Sequence, residues 1–191
     1  MRITGGMAKG RTLHFPAGSK ERPTSDFLRE ALLNLLGHVS DKLFLDLFAG
    51  SGSVGLEAAS RGAKEVYFIE KDKTIAGVAR KNIESCSFEK KCRIINADVR
   101  SGLKDLFKKN CKFDIIFADP PYNNSLVEKT LKLLKEYPVF QEGALIVIQH
   151  STREEFGSVL TESVCGEAVW HQIDRRKYGD NAISFLKMEQ K

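Results

Sequence analysis

The run FDIIFADPPY, residues 113–122, joins a strand-like apolar segment to groups that accept hydrogen bonds. Its first six residues predict a buried parallel strand, which Asp119-Pro120-Pro121-Tyr122 ends abruptly. The two prolines remove two backbone donors and fix φ twice, so Asp119 is held extended and the carbonyls stay free to accept. Such a strand end suits a planar base with an exocyclic amine, because Asp119 and the Pro120 carbonyl can accept both N–H groups while Tyr122 stacks on the ring. A plain strand-ending turn is the alternative interpretation.

The chemistry that this strand end favours is transfer of a group to the amine of a base. The amine of an aromatic base is a poor nucleophile because its lone pair is delocalised into the ring. Hydrogen bonds to Asp119 and the Pro120 carbonyl would localise that pair and stabilise the positive charge that grows on nitrogen. The base must first leave its stack, or come from a loop that is already unpaired, and Tyr122 would receive it. The candidate catalytic residues are Asp119, Pro120, Pro121 and Tyr122.

A glycine loop, Gly50-x-Gly52-x-x-Gly55, follows an earlier apolar strand and matches the dinucleotide fingerprint. Glu70 lies about 20 residues further on, where a ribose-binding acid is expected, and this pattern alone favours NAD. Asp46, just ahead of the loop, argues against NAD because it would repel a pyrophosphate but attract a ligand with ammonium and sulfonium charges. No hydride-transfer site follows. The predicted cofactor is therefore S-adenosyl-L-methionine.

The predicted cofactor contacts lie where parallel strands end, which is where open sheets bind ligands. Glu70 is expected to accept from the ribose hydroxyls, and Asp98 from the adenine amine. A purely structural role for either acid alone is the alternative. The full predicted set is Asp46, Phe48, Gly50, Ser51, Gly52, Glu70, Lys71, Asp98 and Val99.

Strands and helices alternate along most of the chain, which predicts an α/β fold with a mainly parallel, doubly wound sheet and right-handed crossovers. The last two strands, Ala168–Ile173 and Ala182–Met188, are joined by Asp174–Asn181, a connection too short for a crossover helix. An antiparallel last strand is therefore expected in a seven-stranded sheet. The five earlier strands are predicted at Leu43–Phe48, Glu65–Ile69, Cys92–Asn96, Phe113–Ala118 and Ala144–Gln149, and the helices at 24–37, 53–61, 75–83, 101–108 and 126–134.

The positive charge is concentrated at the start of the chain. The net charge is +5, and residues 1–22 alone carry +4, which leaves +1 for the other 169 residues. We predict a basic N-terminal hairpin or loop arm at 1–22 and one catalytic domain at 23–191. A basic segment on a nearly neutral body is typical of phosphate contact, and a solvated tail is the alternative.

Other features of the composition point to a cytoplasmic protein with no metal site. The chain has 42% hydrophobic residues but no apolar run near the ~20 residues of a membrane helix, and its start has no signal-peptide h-region. The four cysteines and four histidines are scattered without metal-ligand spacing, so neither zinc binding nor a disulfide framework is predicted.

The tetrapeptide resembles the motif of S-adenosylmethionine-dependent amino-methyltransferases that act on adenine N6, cytosine N4 or guanine N2. Nearly the whole chain resembles the bacterial 16S ribosomal RNA guanine-N2 methyltransferase family. The N-terminal blocks and the late Tyr-Gly block are the parts specific to that family. The matching blocks are Arg2-Ile3-x-Gly5-Gly6, Gly10-Arg11, Arg22-Pro23-Thr24, Arg29-Glu30-Ala31-Leu32, Leu45-Asp46-Leu47-Phe48-Ala49-Gly50-Ser51-Gly52, Gly55-Leu56-Glu57-Ala58, Ser60-Arg61-Gly62-Ala63 and Lys177-Tyr178-Gly179-Asp180.

This resemblance implies a Rossmann-like methyltransferase fold and transfer of methyl to N2 of one guanine, guanine 966, of 16S ribosomal RNA. It also implies a monomer that acts on a partly assembled small ribosomal subunit. The arm and the loop Arg175–Lys177 would then contact the phosphate backbone of the RNA. One departure is Gln149-His150, where the family pattern has Glu-His, which leaves the role of that acid open here. The RNA-binding set is Arg2, Lys9, Arg11, Arg22, Arg175, Arg176, Lys177 and Tyr178.

Three other functions stay open on sequence grounds. A DNA adenine-N6 or cytosine-N4 methyltransferase would use the same tetrapeptide, but such enzymes need a target-recognition region and only the short arm is available. A non-catalytic RNA- or NAD-binding module would keep its function without Asp119. A small-molecule methyltransferase is disfavoured by the basic arm.

Overall fold

In the computed structural model the described residues are 1–15, 26–121, 125–154, 157 and 169–189. Within these ranges the chain forms five helices and seven strands, and it divides into two compact units, Met1–Gly102 and Leu103–Lys191. The helices are α1 Asp26–Leu35, α2 Ser53–Ser60, α3 Lys73–Ser85, α4 Val99–Lys108 and α5 Leu126–Glu136. The strands are β1 Leu43–Leu47, β2 Glu65–Ile69, β3 Cys92–Ile95, β4 Phe113–Ala118, β5 Phe140–Ser151, β6 Val169–Tyr178 and β7 Asn181–Glu189.

In the first unit, β2 lies between β1 and β3 and is parallel to both. Every residue of α2 is buried. The helix approaches β2 so closely that a Cβ added at Gly55 would lie 2.4 Å from Cε1 of Phe68. Only glycine fits at this contact. The loop between β1 and α2 is therefore placed by tight packing of α2 at one end and by a buried strand at the other.

Helix α3 is longer than the predicted 75–83. The Asp72 carboxylate accepts hydrogen bonds from the N–H groups of Thr74 and Ile75 at 2.8 and 3.0 Å, so the helix begins at Lys73. An N-cap of this kind satisfies backbone donors that the helix leaves unpaired. The N-cap predicted for α1 at residue 24 or 25 lies outside the described residues.

The N-terminal segment 1–15 packs against α2. It contains one antiparallel bridge, Arg2 to Thr12, and the side chains of Ile3 and Leu13 are buried. The Met7 N–H donates to the Ser60 carbonyl at 2.8 Å. Backbone hydrogen bonds of 2.8 to 3.0 Å between residues 1–3 and 10–13 flank the bridge, so the two ends of the segment lie side by side around a loop. The division at residue 22 stays a prediction, because residues 16–25 lie outside the described part.

In the second unit, β4 is parallel to β5, and β7 is antiparallel to both β5 and β6. The predicted antiparallel last strand is confirmed. The core of this unit contains Phe117 and Ile146 from the two parallel strands, and Trp170 from β6, all nearly inaccessible. The indole N–H of Trp170 donates to the Leu131 carbonyl of α5 at 3.3 Å, so its polar group is satisfied inside the core.

The predicted connection Asp174–Asn181 is wrong for most of its length. Residues Arg175–Lys177 lie in β6, not in a loop, and β6 turns into β7 at Gly179 and Asp180. The register shifts between Gln172 and Asp174, which breaks the alternation that would have identified a strand. Charged residues on an edge strand also hide it in the sequence, although they protect the edge from pairing with another chain.

No helix in the described part of the chain is both long enough and apolar enough to cross a membrane.

Candidate functional site

The loop after β1 has an unusual backbone. Phe48, Gly50 and Gly52 have φ values of 61°, 56° and 80°, a left-handed region that non-glycine residues enter at some cost in strain. A Cβ added at Gly50 would meet no atom within 4 Å, so this side of the loop is open. A ligand can approach the bare backbone there, which fits the predicted cofactor. Ser51, between the two glycines, is buried.

Glu70 holds this loop through its carboxylate. Its Oε2 accepts from the Gly50 N–H at 2.9 Å, and its Oε1 accepts from the Asp72 N–H at 2.8 Å. The Asn96 amide donates to the carbonyls of Glu70 and Lys71 at 2.8 and 3.1 Å, which fixes the end of β2. Each carboxylate oxygen keeps a second lone pair, so Glu70 can still accept from a ribose hydroxyl. That contact stays a prediction.

Asp46 is almost completely buried, with 1% of its surface exposed. Its Oδ2 accepts from the Gly55 N–H at 2.9 Å, close to the N-terminus of α2. A carboxylate is stabilised there by the helix dipole and by an otherwise unpaired donor. Asp46 therefore has a structural contact that the sequence did not indicate, and its predicted attraction for a cationic ligand is not tested by it.

Asp98 is exposed and lies between β3 and α4. It accepts from the backbone N–H and the hydroxyl of Ser101 at 3.0 and 2.8 Å, and these bonds lower the pKa of its carboxyl group. Asp98 therefore caps α4 and is ionised well below neutral pH. Lys71 is exposed and Val99 partly buried at neighbouring strand ends. The adenine contact of Asp98 remains a prediction.

Asp119 follows β4 directly, as predicted, and is only partly buried. The side chain of Gln149 donates through Nε2 to Asp119 Oδ2 at 3.0 Å. The β4–β5 register explains this contact, because Ala118 lies opposite Ile148, and Asp119 and Gln149 are the next residues of the two strands. Pro120 is buried and Pro121 is exposed, whereas the fourth predicted catalytic residue, Tyr122, lies outside the described residues.

The predicted RNA-binding residues fall in two places. Arg2, Lys9 and Arg11 are exposed on the N-terminal segment, and Arg22 lies outside the described residues. The other four are in β6, where Arg175 and Tyr178 are partly buried and Arg176 and Lys177 are exposed.

The cationic side chains of β6 differ in how far their charge is neutralised by partners within the protein. Arg176 Nε lies 2.8 Å from the Asp174 carboxylate, which balances part of its charge. A guanidinium nitrogen of Arg175 donates to the Thr152 carbonyl at 3.3 Å. Lys177 is therefore the cation of this strand that we expect to contribute most to phosphate contact.

Glu57, quoted above only as part of a matching block, is a structural centre of the first unit. Its fully buried carboxylate accepts from the N–H and hydroxyl of Thr4 at 2.9 and 2.8 Å, and from the Gly5 N–H at 2.7 Å. Arg29 and Arg61 pair with it at 3.3 and 3.1 Å. The only signal in the sequence was an acid among the small residues of a helix that proves to be wholly buried.

Three features at the described strand ends are typical of a known class of fold. They are a glycine loop after β1, an acid at the end of β2 and Asp-Pro-Pro after β4. This class is the Rossmann-like S-adenosylmethionine-dependent methyltransferases, as predicted. A solved Escherichia coli protein, yhhF, described as a candidate methyltransferase, has the same fold with a TM-score of 0.81 and 32% identity, covering 100% of this chain and 99% of its own.

The particular family follows from the sequence match. The family described as "Conserved hypothetical protein 95" matches residues 1–187, and this chain belongs to it. Ribosomal RNA small subunit methyltransferase D of Haemophilus influenzae is 39% identical over 152 residues, which are 78% of each chain. The enzyme of the same name from Escherichia coli K12 is 33% identical over 95% of this chain and 93% of its own. The resemblance found in the sequence is thereby confirmed.

Proposed function

We propose that this protein is a ribosomal RNA methyltransferase that transfers a methyl group from S-adenosyl-L-methionine to the exocyclic N2 amine of a guanine in 16S ribosomal RNA. The relatives named small subunit methyltransferase D support the RNA substrate. The observation that carries the choice of an amine is the carboxylate of Asp119, held by Gln149 directly before two prolines. An acceptor in a fixed orientation is what an amine nucleophile needs.

The cofactor is S-adenosyl-L-methionine, and when bound it supplies an electrophilic methyl group on a positively charged sulfur. The open backbone at Gly50 gives room for close approach, and Glu70 offers free acceptor positions to ribose hydroxyls. The buried carboxylate of Asp46 contributes a negative potential that favours a cationic ligand. Asp98 is ionised at neutral pH and accepts from the adenine amine.

At the end of β4, Asp119 and the Pro120 carbonyl accept the two N–H groups of the guanine amine. This draws the lone pair toward nitrogen and stabilises the positive charge that forms there as the new bond grows. The proton leaves to Asp119 or to solvent after transfer. The rest of the rate enhancement would come from proximity, because the residues that hold the cofactor and the base would bring the methyl group to the amine nitrogen. Tyr122 stacks on the unstacked base.

The exposed cations Arg2, Lys9, Arg11 and Lys177 contact RNA phosphates, which bind without reading sequence. The modified base is guanine 966 and the substrate is an assembling small subunit. The protein acts as a monomer in the cytoplasm. These finer points rest on the family resemblance.

The test is transfer of labelled methyl from S-adenosylmethionine into 16S RNA, small-subunit particles and DNA in parallel, with nucleoside analysis of each product. N2-methylguanosine from the ribosomal substrates alone is the expected result. Methylated adenine or cytosine in DNA would replace the proposal with a DNA amino-methyltransferase. No transfer to any of the three would favour a non-catalytic binding module, and titration with NAD and S-adenosylmethionine would then identify its ligand.

A further inference from the structure

We propose that Gln149 is a positioning residue for methyl transfer, whose side-chain amide holds the Asp119 carboxylate in the orientation that accepts the substrate amine. The inference deepens the proposed function and rests on it. It is carried by the 3.0 Å hydrogen bond from Gln149 Nε2 to Asp119 Oδ2, between residues that follow paired positions of two parallel strands.

The surroundings of Gln149 leave its amide little freedom. Gln149 is 4% exposed. It lies in β5, which pairs with β7 on one side and β4 on the other: Gln149 is opposite Ile183 of β7, and it directly follows Ile148, the last residue of β5 paired with β4. The end of the amide that faces a carboxylate must be the NH₂ group, because an amide oxygen in that place would be repelled. Burial therefore fixes the side chain, and the charge of Asp119 fixes which way it points.

The other end of the same amide shows that stability does not explain this residue. Gln149 Oε1 is buried and has no hydrogen-bond partner among the described residues. A buried acceptor without a partner destabilises a fold, whereas an apolar side chain of similar length would fill the position without that cost. Of the two polar groups of this amide, only the NH₂ group makes a hydrogen bond among the described residues, so we attribute the choice of glutamine to its contact with Asp119.

The amide suits the chemistry because it donates and carries no charge. A carboxylate has about four lone-pair positions, so a bond from Gln149 is compatible with further bonds from the substrate. The bond also favours the ionised form of Asp119, which accepts hydrogen bonds and does not donate. Since Gln149 does not titrate, it holds Asp119 in this form without competing for a proton.

Three variants test the proposal. Gln149→Met keeps the length of the side chain and removes the donor. Gln149→Glu places a second carboxyl group beside Asp119, and two carboxyl groups at this distance cannot both ionise easily, so the pair shares a proton. Gln141→Glu is the matched control, because it makes the same change at an exposed position of the same strand.

For Gln149→Met we expect kcat to fall roughly 10- to 100-fold, with KM for RNA and the dissociation constant of S-adenosylmethionine within about twofold of the wild type. Gln149→Glu restores the residue of the family pattern, so we expect kcat near the wild-type value wherever the pair keeps its shared proton and the introduced carboxyl group donates to Asp119. At a higher pH, where the pair has lost that proton, we expect kcat to fall about tenfold or more. The wild type and Gln141→Glu should not show this fall in kcat with pH. A purely structural role of Gln149 would not produce such a pH-dependent fall in the Gln149→Glu variant.

A second measurement does not depend on catalysis. Titration of the Asp119 carboxyl carbon by NMR should give a higher midpoint in Gln149→Met than in the wild type, since the ionised form has lost a donor. The inference is overturned if the midpoint is unchanged and kcat of Gln149→Met stays within about twofold of wild type. If the wild type transfers no methyl but the midpoint moves, the proposed function fails while the role of Gln149 in holding Asp119 stands. If Gln149→Met does not fold, the pH profile of Gln149→Glu decides.

Discussion

The side chain of Asn82 pairs with the backbone of His14 in both directions. Its Oδ1 accepts from the His14 N–H at 2.7 Å, and its Nδ2 donates to the His14 carbonyl at 3.0 Å. The same Nδ2 donates to the carbonyl of Ser51 at 2.9 Å, in the glycine loop. One fully buried amide therefore joins the N-terminal segment to the loop that is predicted to hold the cofactor.

Replacing Asn82 with leucine should destabilise the protein strongly. The change leaves the N–H and carbonyl of His14 and the carbonyl of Ser51 without this partner inside the protein, so we expect a loss of about 3 kcal/mol in the free energy of unfolding. Urea denaturation measures it. Lys81→Ala, at an exposed position of the same helix, should change it by less than about 0.5 kcal/mol. Equal denaturation midpoints for Asn82→Leu and the wild type would refute the structural role.

Gly6 and Gly10 form a matched pair for testing how the N-terminal segment packs. Both have positive φ, 75° and 85°, but a Cβ at Gly6 would lie 2.0 Å from the Ser60 carbonyl oxygen, whereas at Gly10 it meets nothing within 4 Å. Gly10→Ala should cost about 1 kcal/mol of backbone strain, and Gly6→Ala about 3 kcal/mol or more because the segment must also move. Thermal unfolding and limited proteolysis should separate the two variants. Similar behaviour of both would show that segment 1–15 does not pack on α2.

Asp119→Ala should remove nearly all turnover and leave cofactor binding almost unchanged. We expect kcat to fall by about 10²-fold or more, because the amine loses the acceptor that stabilises its developing charge. The dissociation constant of S-adenosylmethionine, measured by calorimetry, should stay within about twofold. Glu142→Ala, at an exposed position of β5, should retain the kcat of the wild type. Activity like that of the wild type in Asp119→Ala would disprove the mechanism.

Reversing the charge of Arg2, Lys9 and Arg11 together should weaken RNA binding and its dependence on salt. If all three contact phosphates in single-stranded RNA, the slope of log K against log salt should become shallower by about 2. Filter binding over a range of salt concentrations measures this slope. The same reversal at Lys108, Lys109 and Lys132, exposed lysines in the second unit, controls for net charge. An unchanged affinity in the first variant would remove the N-terminal segment from the interface.

His150 should make the protein less stable in mild acid. It is fully buried, with its ring nitrogens 2.8 Å from the Ser151 carbonyl and 2.9 Å from the Ser184 hydroxyl, and burial lowers its pKa. The unfolded chain therefore binds a proton at this histidine at a higher pH than the folded chain does. Stability is full above the unfolded pKa of about 6.5 and falls as the pH drops from there toward the lower native pKa.

The measurement for His150 is the urea midpoint of the wild type and His150→Gln between about pH 7.5 and about pH 5. The variant is expected to be less stable at neutral pH but to lose less stability on acidification. If the urea midpoints of the two proteins fall equally with pH, the pKa of His150 does not differ between the folded and unfolded states.

The sequence predicted the strands whose residues are buried on both faces. The runs around Phe44, Phe68 and Phe117 are apolar without alternation, which is typical of central parallel strands. It failed at Arg175–Lys177, because an exposed edge strand with a register shift has the composition of a loop. The predicted site residues Asp119 and Glu70 do lie at strand ends, since that placement follows from strand boundaries alone.

The contacts that orient those site residues were beyond sequence reasoning. Gln149 meets Asp119 because of a pairing register between strands 30 residues apart, and no local pattern encodes a register of this kind. The hydrogen bond that the Gly55 N–H donates to Asp46 depends in the same way on how closely α2 approaches β2. Glu57 is an acidic residue buried inside the protein, and its sequence context of small residues does not show which donors surround it.

The two backbone bonds to Glu70 also bear on how the predicted cofactor site would bind its ligand. This carboxylate joins the loop after β1 to the start of α3 through Gly50 and Asp72, by bonds that lie within the protein's own fold. The entropy lost in ordering the loop is therefore part of folding and not of association, which leaves more of the contact energy to appear as affinity. We therefore expect a ligand that binds at Gly50 to associate at a rate limited by diffusion and not by a slow closing of the loop.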